Sequence, residues 1–218
     1  MFASSNLEGK RSFDFINIYV SFSVETVTPI MILVVDNGST SLSSLVEVLR
    51  FLGTEFEIKA HSELPKIAPF SGLIISGRAV ASRESNRNNS AIIEAAESRD
   101  IPTLGICYGA EIIATTFGGT LRRLENHARE NRLVTVFRRN PVLTEKTYSA
   151  YESHGYKIFR LPPSFESLAR SPVSDNEAIR RKRLLIFGTQ FHPELSGNSG
   201  KAIIRNFVKQ CADSSDPA

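Results

Sequence analysis

Cysteine is scarce in this chain, with Cys107 and Cys211 the only two among 218 residues. Two thiols so placed build no disulfide framework, and neither belongs to a CxxC pair, so the chain reads as a reduced, cytoplasmic protein. Histidine is also sparse. His61, His127, His154 and His192 show no metal-ligand spacing, and no metal site is expected. No apolar run approaches the ~20 residues that span a bilayer, so no membrane partner is expected. An excess of either charge is also lacking, since 26 Lys and Arg against 23 Asp and Glu leave a net +3. The one basic cluster, Arg180-Arg181-Lys182-Arg183, reads as a solvated turn between strands, and nucleic acid is not expected as a partner.

What is present is the composition of a globular domain, 41% hydrophobic and 22% charged, in a chain long enough for one full core. Residues 1–30 stand apart. "SFDFINIYVSFSVETVTP" follows Lys10 and Arg11 as a signal peptide would, but Asp14, Asn17 and Glu25 interrupt it and no A-x-A-like cleavage site follows. The segment is expected to be a poorly ordered extension, or to precede a start at Met31. The folded domain is expected over 31–212, with 213–218 as a tail.

From Met31 strands and helices alternate. "MILVV" leads through Asp36-Asn37-Gly38-Ser39 to a helix whose Leu42, Leu45, Val46, Leu49 and Leu52 form one apolar face, closed by Gly53. "EFEIKA" and "GLIIS" are strands. "GRAVASRESNRNNS" reads as a polar loop before a helix from Ala91 to Ser98, and "TLGI" is a further strand. Apolar strands in β-α succession predict an open, mostly parallel sheet covered by helices on both faces. After Gly119 the segments "LVTVF", "YSAY", "SLARS", "NEAIRR" and "LLIFGTQF" predict a short antiparallel addition. A helix from Gly200 to Cys211 closes the domain, with Cys211 in the core.

Between "TLGI" and the next helix lies Gly105-Ile106-Cys107-Tyr108-Gly109. A sharp strand-to-helix turn lifts Cys107 above the sheet and sets its sulfur at the positive end of the helix dipole, which favours thiolate. The Tyr108 N–H is offered to an oxyanion. "FGTQFHPE" ends an apolar strand in His192-Pro193-Glu194. Pro193 biases His192 toward extended backbone, which brings Glu194 alongside to orient the imidazole as a base for Cys107.

With these motifs in view the chain resembles the class I (triad) glutamine amidotransferases from Met31 to Cys211. Four blocks carry the resemblance, "DNGS", "LIISG", "GICYGAE" and "GTQFHPE", in the family's order. "YESHGYKIFRLPPSF" is most like the glutaminase part of GMP synthetase. The resemblance implies a flavodoxin-like α/β fold. It implies a glutaminase with Cys107 as nucleophile, His192 as acid and base, and Glu194 as its orienting partner. Arg78 and Tyr108 would supply oxyanion-hole N–H groups, and Gly77, Glu111, Ser153 and His154 would touch L-glutamine. The partner implied is an ATP-dependent synthetase subunit of purine nucleotide synthesis. The chain itself would need no cofactor, ATP and magnesium belonging to that partner.

Three positions depart from the family pattern. Arg78 stands where a second glycine is usual, Glu111 where a glutamine is, and Tyr156 where an acidic residue follows Ser-His-Gly. An arginine that had to adopt φ > 0 would strain the oxyanion hole, and an ionised Glu111 offers substrate no donor. Reduced activity is one reading of these changes. A stand-alone hydrolase of another γ-glutamyl or amide substrate is a second, and a non-catalytic regulatory homologue a third.

Overall fold

The computed structural model describes residues 30–215, so the expectations for 1–29 and 216–218 lie outside the described residues. In chain order the elements are β1 (Met31–Asn37), α1 (Leu42–Phe51), β2 (Glu55–Ala60), β3 (Gly72–Arg78), α2 (Arg83–Glu97), β4 (Thr103–Ile106) and α3 (Tyr108–Thr116). They continue with β5 (Thr120–Val136), β6 (Thr147–Arg160), β7 (Phe165–Arg170), β8 (Ala178–Arg181), β9 (Ile186–Thr189), a 3-10 turn at Pro193–Leu195, and α4 (Gly197–Ser215). Residues 213–215 of the expected tail continue α4.

One nine-stranded sheet runs β2-β1-β3-β4-β9-β8-β7-β5-β6. The pairings from β2 through β9 are parallel, and those from β9 through β6 are antiparallel. The sheet is therefore half parallel rather than mostly so, and the antiparallel part is not short: β5 has 17 residues and β6 has 14. Most exposed positions of both strands are polar. Along β5 this reaches "RRLENHAREN", where alternation is too diluted by charge to announce a strand.

β1 shows why the parallel strands are continuously apolar. Ile32 and Val34 pack with Leu45 and Leu49 of α1 and Ile203 and Phe207 of α4. Leu33 and Val35 pack with Ile92 and Ile93 of α2 and Ile113 of α3. Alternate residues enter opposite layers, so neither face admits a polar residue. Cys211 lies in the first of these layers, fully buried.

The polar loop expected before Ala91 is mostly helix. α2 begins at Arg83, capped by the Ser82 hydroxyl, which accepts from the Glu84 and Ser85 N–H groups. Asn89, fully buried, donates to Asn37 Oδ1 and the Ser85 carbonyl at 2.7 Å each. The polar letters of this segment thus serve a cap and a buried network that ties α2 to the end of β1.

Candidate active site

The carboxyl ends of β1, β3, β4 and β9 meet where strand order reverses around β1, the place at which open α/β sheets bind ligands. Cys107 follows β4 with φ 54° and ψ −107°, a conformation costly for a non-glycine residue. Its N–H donates to the Thr189 carbonyl at 2.7 Å, which pins the turn to β9. The flanking glycines allow the sharp bend. A Cβ on Gly105 would overlap the Gly109 backbone, and one on Gly109 would overlap the Ile75 carbonyl of β3.

His192 follows β9 in extended conformation, with its N–H bonded to the Tyr151 carbonyl of β6 at 2.8 Å. Its Nδ1 lies 2.8 Å from Glu194 Oε1. The extended backbone expected for Glu194 is absent. Pro193 starts a 3-10 turn, and that turn carries the carboxylate back to the ring. Ser41, from the turn after β1, donates to the same Oε1 at 2.6 Å and lies 3.3 Å from His192 Nδ1. His192, Glu194 and Ser41 are all buried, so this array is shielded from competing water.

Cys107 and His192 flank Gly77. An added Cβ there would stand 3.3 Å from His192 Cε1 and 3.8 Å from Cys107 Cβ. A cleft of about 180 Å³ opens beside them, lined by Ser39, Arg78, Arg129, Tyr151 and Ser153 among others. Cys107 is 7% exposed, and its sulfur approaches the Ser153 carbonyl at 3.8 Å. Burial pushes the thiol far above its ordinary value, and the Glu111 charge adds to this. The Tyr108 N–H and the Arg78 guanidinium oppose it without prevailing. The thiolate expected from the helix terminus is thus outweighed by desolvation, and the resting group is a thiol.

The other expected residues separate into groups. Ser153 lines the cleft, but His154 projects to the opposite face of β6, its Nδ1 bonded to the Tyr156 carbonyl at 2.7 Å. Glu111 lies buried one helical turn after Cys107, bonded to Gln190 Nε2 at 3.1 Å, and does not line the cleft. Burial raises its carboxyl above the ordinary range. Arg78 does not adopt positive φ, so the backbone strain expected there is absent. Its guanidinium stacks 3.8 Å from the Tyr108 ring centroid and donates to Asn86 Oδ1 at 2.7 Å, which also accepts from the Tyr108 hydroxyl at 2.9 Å. Ser41 and Arg129 were not legible as site residues. The turn "DNGSTS" was visible, but only the fold brings its last serine to Glu194, and Arg129 sits in an unpatterned polar run.

The family model for glutamine amidotransferase class-I matches residues 33–211. The chain belongs to the class I glutamine amidotransferases. Among relatives of this family, the glutamine-hydrolyzing GMP synthase subunit of Pyrococcus furiosus is 34% identical, covering 84% of this chain and 100% of its own length. The same subunit of Methanococcus vannielii is 29% identical, covering 83% and 97%. The crystal structure of a putative GMP synthase subunit from Thermoplasma acidophilum superposes with a TM-score of 0.78 at 28% identity, covering 86% of this chain and 96% of that one. A glutamine amidotransferase from Thermotoga maritima, at 18% identity and TM-score 0.68, shares the fold over 87% of each chain. Among the described residues, no helix is long and apolar enough to cross a membrane.

Proposed function

We propose that this chain is the glutamine-hydrolysing subunit of a GMP synthase, working in the cytoplasm with an ATP-dependent synthetase partner. The observation that carries the reading is the array of His192, Glu194 and Ser41 beside a cysteine on a strained turn. The printed function of the archaeal relatives, matched over their whole length or nearly so, supports the choice of partner.

With Nδ1–H donated to Glu194, the Nε2 of His192 is the nitrogen left to accept the Cys107 proton. Because the thiol is held protonated, proton transfer accompanies attack of sulfur on the glutamine side-chain carbonyl. The resulting oxyanion takes hydrogen bonds from the Tyr108 and Arg78 N–H groups. Collapse breaks the C–N bond, and His192 returns its proton to the departing ammonia. His192 then takes a proton from water as that water attacks the thioester, and the proton passes to sulfur as glutamate leaves. The scheme uses only groups of this chain, while ATP and magnesium act in the partner.

The test is glutamate release measured with a GMP-synthase-type synthetase, ATP and magnesium present. Cys107→Ala should lose activity by roughly 10⁴-fold or more, whereas Cys211→Ala should retain it. Comparable turnover by the Cys107 variant overturns the mechanism. A second reading, hydrolysis of another γ-glutamyl amide without a partner, is favoured by the two cations Arg78 and Arg129 that line the cleft. Full-rate hydrolysis of such a substrate by the isolated chain would select it.

A further inference from the structure

On the far side of β6 from the cleft, Glu152 and His154 project together, two residues apart on one strand. Glu177, just before β8, meets them. One ligand atom from each of the three lies within 4.8 Å of the others. Their relative exposures are 0%, 3% and 0%. We infer that Glu152, His154 and Glu177 form a site for a divalent metal ion of the zinc class, clamping β6 to the start of β8.

Three features of the donor set support this. Glu152 Oε1, His154 Nε2 and Glu177 Oε2 are each buried without a hydrogen-bond partner, although such atoms are seldom left unsatisfied in a folded interior. The 3.7 Å between His154 Nε2 and Glu152 Oε2 is too long for a hydrogen bond. His154 Nδ1 donates to the Tyr156 carbonyl, which fixes the tautomer and turns the Nε2 lone pair toward the carboxylates. The remaining oxygens are already held. Arg132 Nε donates to Glu152 Oε2 at 2.9 Å, and the Ser171 hydroxyl donates to Glu177 Oε1 at 2.7 Å. Outer partners of this kind orient ligands around bound metals, a histidine N–H on a backbone carbonyl included.

One imidazole with two carboxylates is a donor set for zinc, and the histidine disfavours magnesium and calcium. Ligands around tetrahedral zinc stand roughly 3.4 Å apart, so binding would draw these side chains inward by about 1 Å. Histidine spacing along the chain gave no sign of the site, because only the curl of the sheet brings Glu177 to His154.

The experiment uses the full chain, stripped with chelator, desalted and titrated calorimetrically with zinc chloride, then with manganese chloride. The expected result is one equivalent of zinc, retained through a second desalting, and a rise in melting temperature. Glu177→Gln keeps the shape and the acceptor for Ser171, and should weaken zinc binding at least tenfold. Cys107→Ser should leave the zinc affinity unchanged, which separates this site from the thiol and imidazole of the cleft. Failure of the wild-type chain to take up zinc at one equivalent overturns the inference. Binding that disappears with Cys107→Ser and survives Glu177→Gln overturns it equally.

Discussion

Ser41 is the residue whose removal separates orientation from chemistry. It lines the cleft without bonding the sulfur, and its hydroxyl donates to the carboxylate oxygen that holds His192. A hydrogen bond to a charged group is worth ~1.5–3 kcal/mol, so Ser41→Ala should lower kcat by about tenfold or more with little change in KM. An unchanged kcat would reduce Ser41 to a packing role. Glu111 makes the complementary case. Its folded pKa lies above its unfolded value, so the native state keeps a proton that the unfolded chain has released. Native stability therefore falls as pH rises from the ordinary carboxylate range through the folded value. Glu111→Gln should remove that slope, gaining melting temperature over wild type above the carboxylate range and little below it. The Glu111 charge is also second only to burial in raising the Cys107 thiol, so the same variant should be alkylated faster at Cys107 by iodoacetamide. Parallel melting curves across pH, or equal alkylation rates, would contradict this account.

At the scale of elements, the turn between β4 and α3 depends on backbone packed against backbone. Gly109 lies so close to the Ile75 carbonyl of β3 that a methyl group has no room, and no flexible side chain there can give way. Gly109→Ala should therefore cost ~1–3 kcal/mol or more, seen as a melting temperature lower by roughly 3–10 °C. Stability equal to wild type would mean that α3 can slide without penalty. This turn was legible in the sequence because glycines at fixed offsets around a cysteine have a steric meaning. β1, β3, β4 and α1 were legible because burial on one or both faces leaves a periodic or continuous apolar record. α2 was half missed, since Ser85 and Asn89 are buried polar residues and look like loop letters until their partners on other elements are known. Of the β5–β6 ribbon only "LVTVF" and "YSAY" were read as strands, for a related reason: much of the ribbon is paired on one side only, so charge occupies positions where apolar residues would have marked its full length. Within the site, Cys107, His192 and Glu194 were readable from local motifs. Ser41 and Arg129 of the cleft, and Glu177 of the cluster behind β6, are brought into place by long-range topology, which leaves no local pattern.

Across the whole molecule, the cleft lies where the parallel and antiparallel halves of the sheet meet, at β9. The parallel half supplies Cys107 and Gly77, and the antiparallel half lays Ser153 of β6 against the sulfur. The β5–β6 ribbon joins β7 at Thr135↔Arg170 and Val136↔Ala169, and Tyr151 of β6 bridges to His192 beside the cleft. The polar segment from Arg78 to Ser90 has little freedom of its own, because α2 starts at Arg83 and Arg78 is held by Tyr108 and Asn86. The ribbon reaches Cys107 through Ser153, and it exposes Leu133, with Phe137 just beyond β5, as apolar surface for a docking partner. A nearly covered, protonated thiol describes a resting state, and docking of the synthetase should favour a form in which β6 opens the way to the sulfur. Glutamine turnover by the isolated chain should accordingly be slow. It should rise of order tenfold or more when the synthetase, ATP and magnesium are added, within the ~5–150-fold range of common coupling energies. Alkylation of Cys107 by a glutamine-like chloroketone should accelerate in parallel, while Cys211, buried between α4 and the sheet, stays unmodified. Equal alkylation and turnover with and without the partner would show that the cleft opens unaided, and would favour the stand-alone hydrolase.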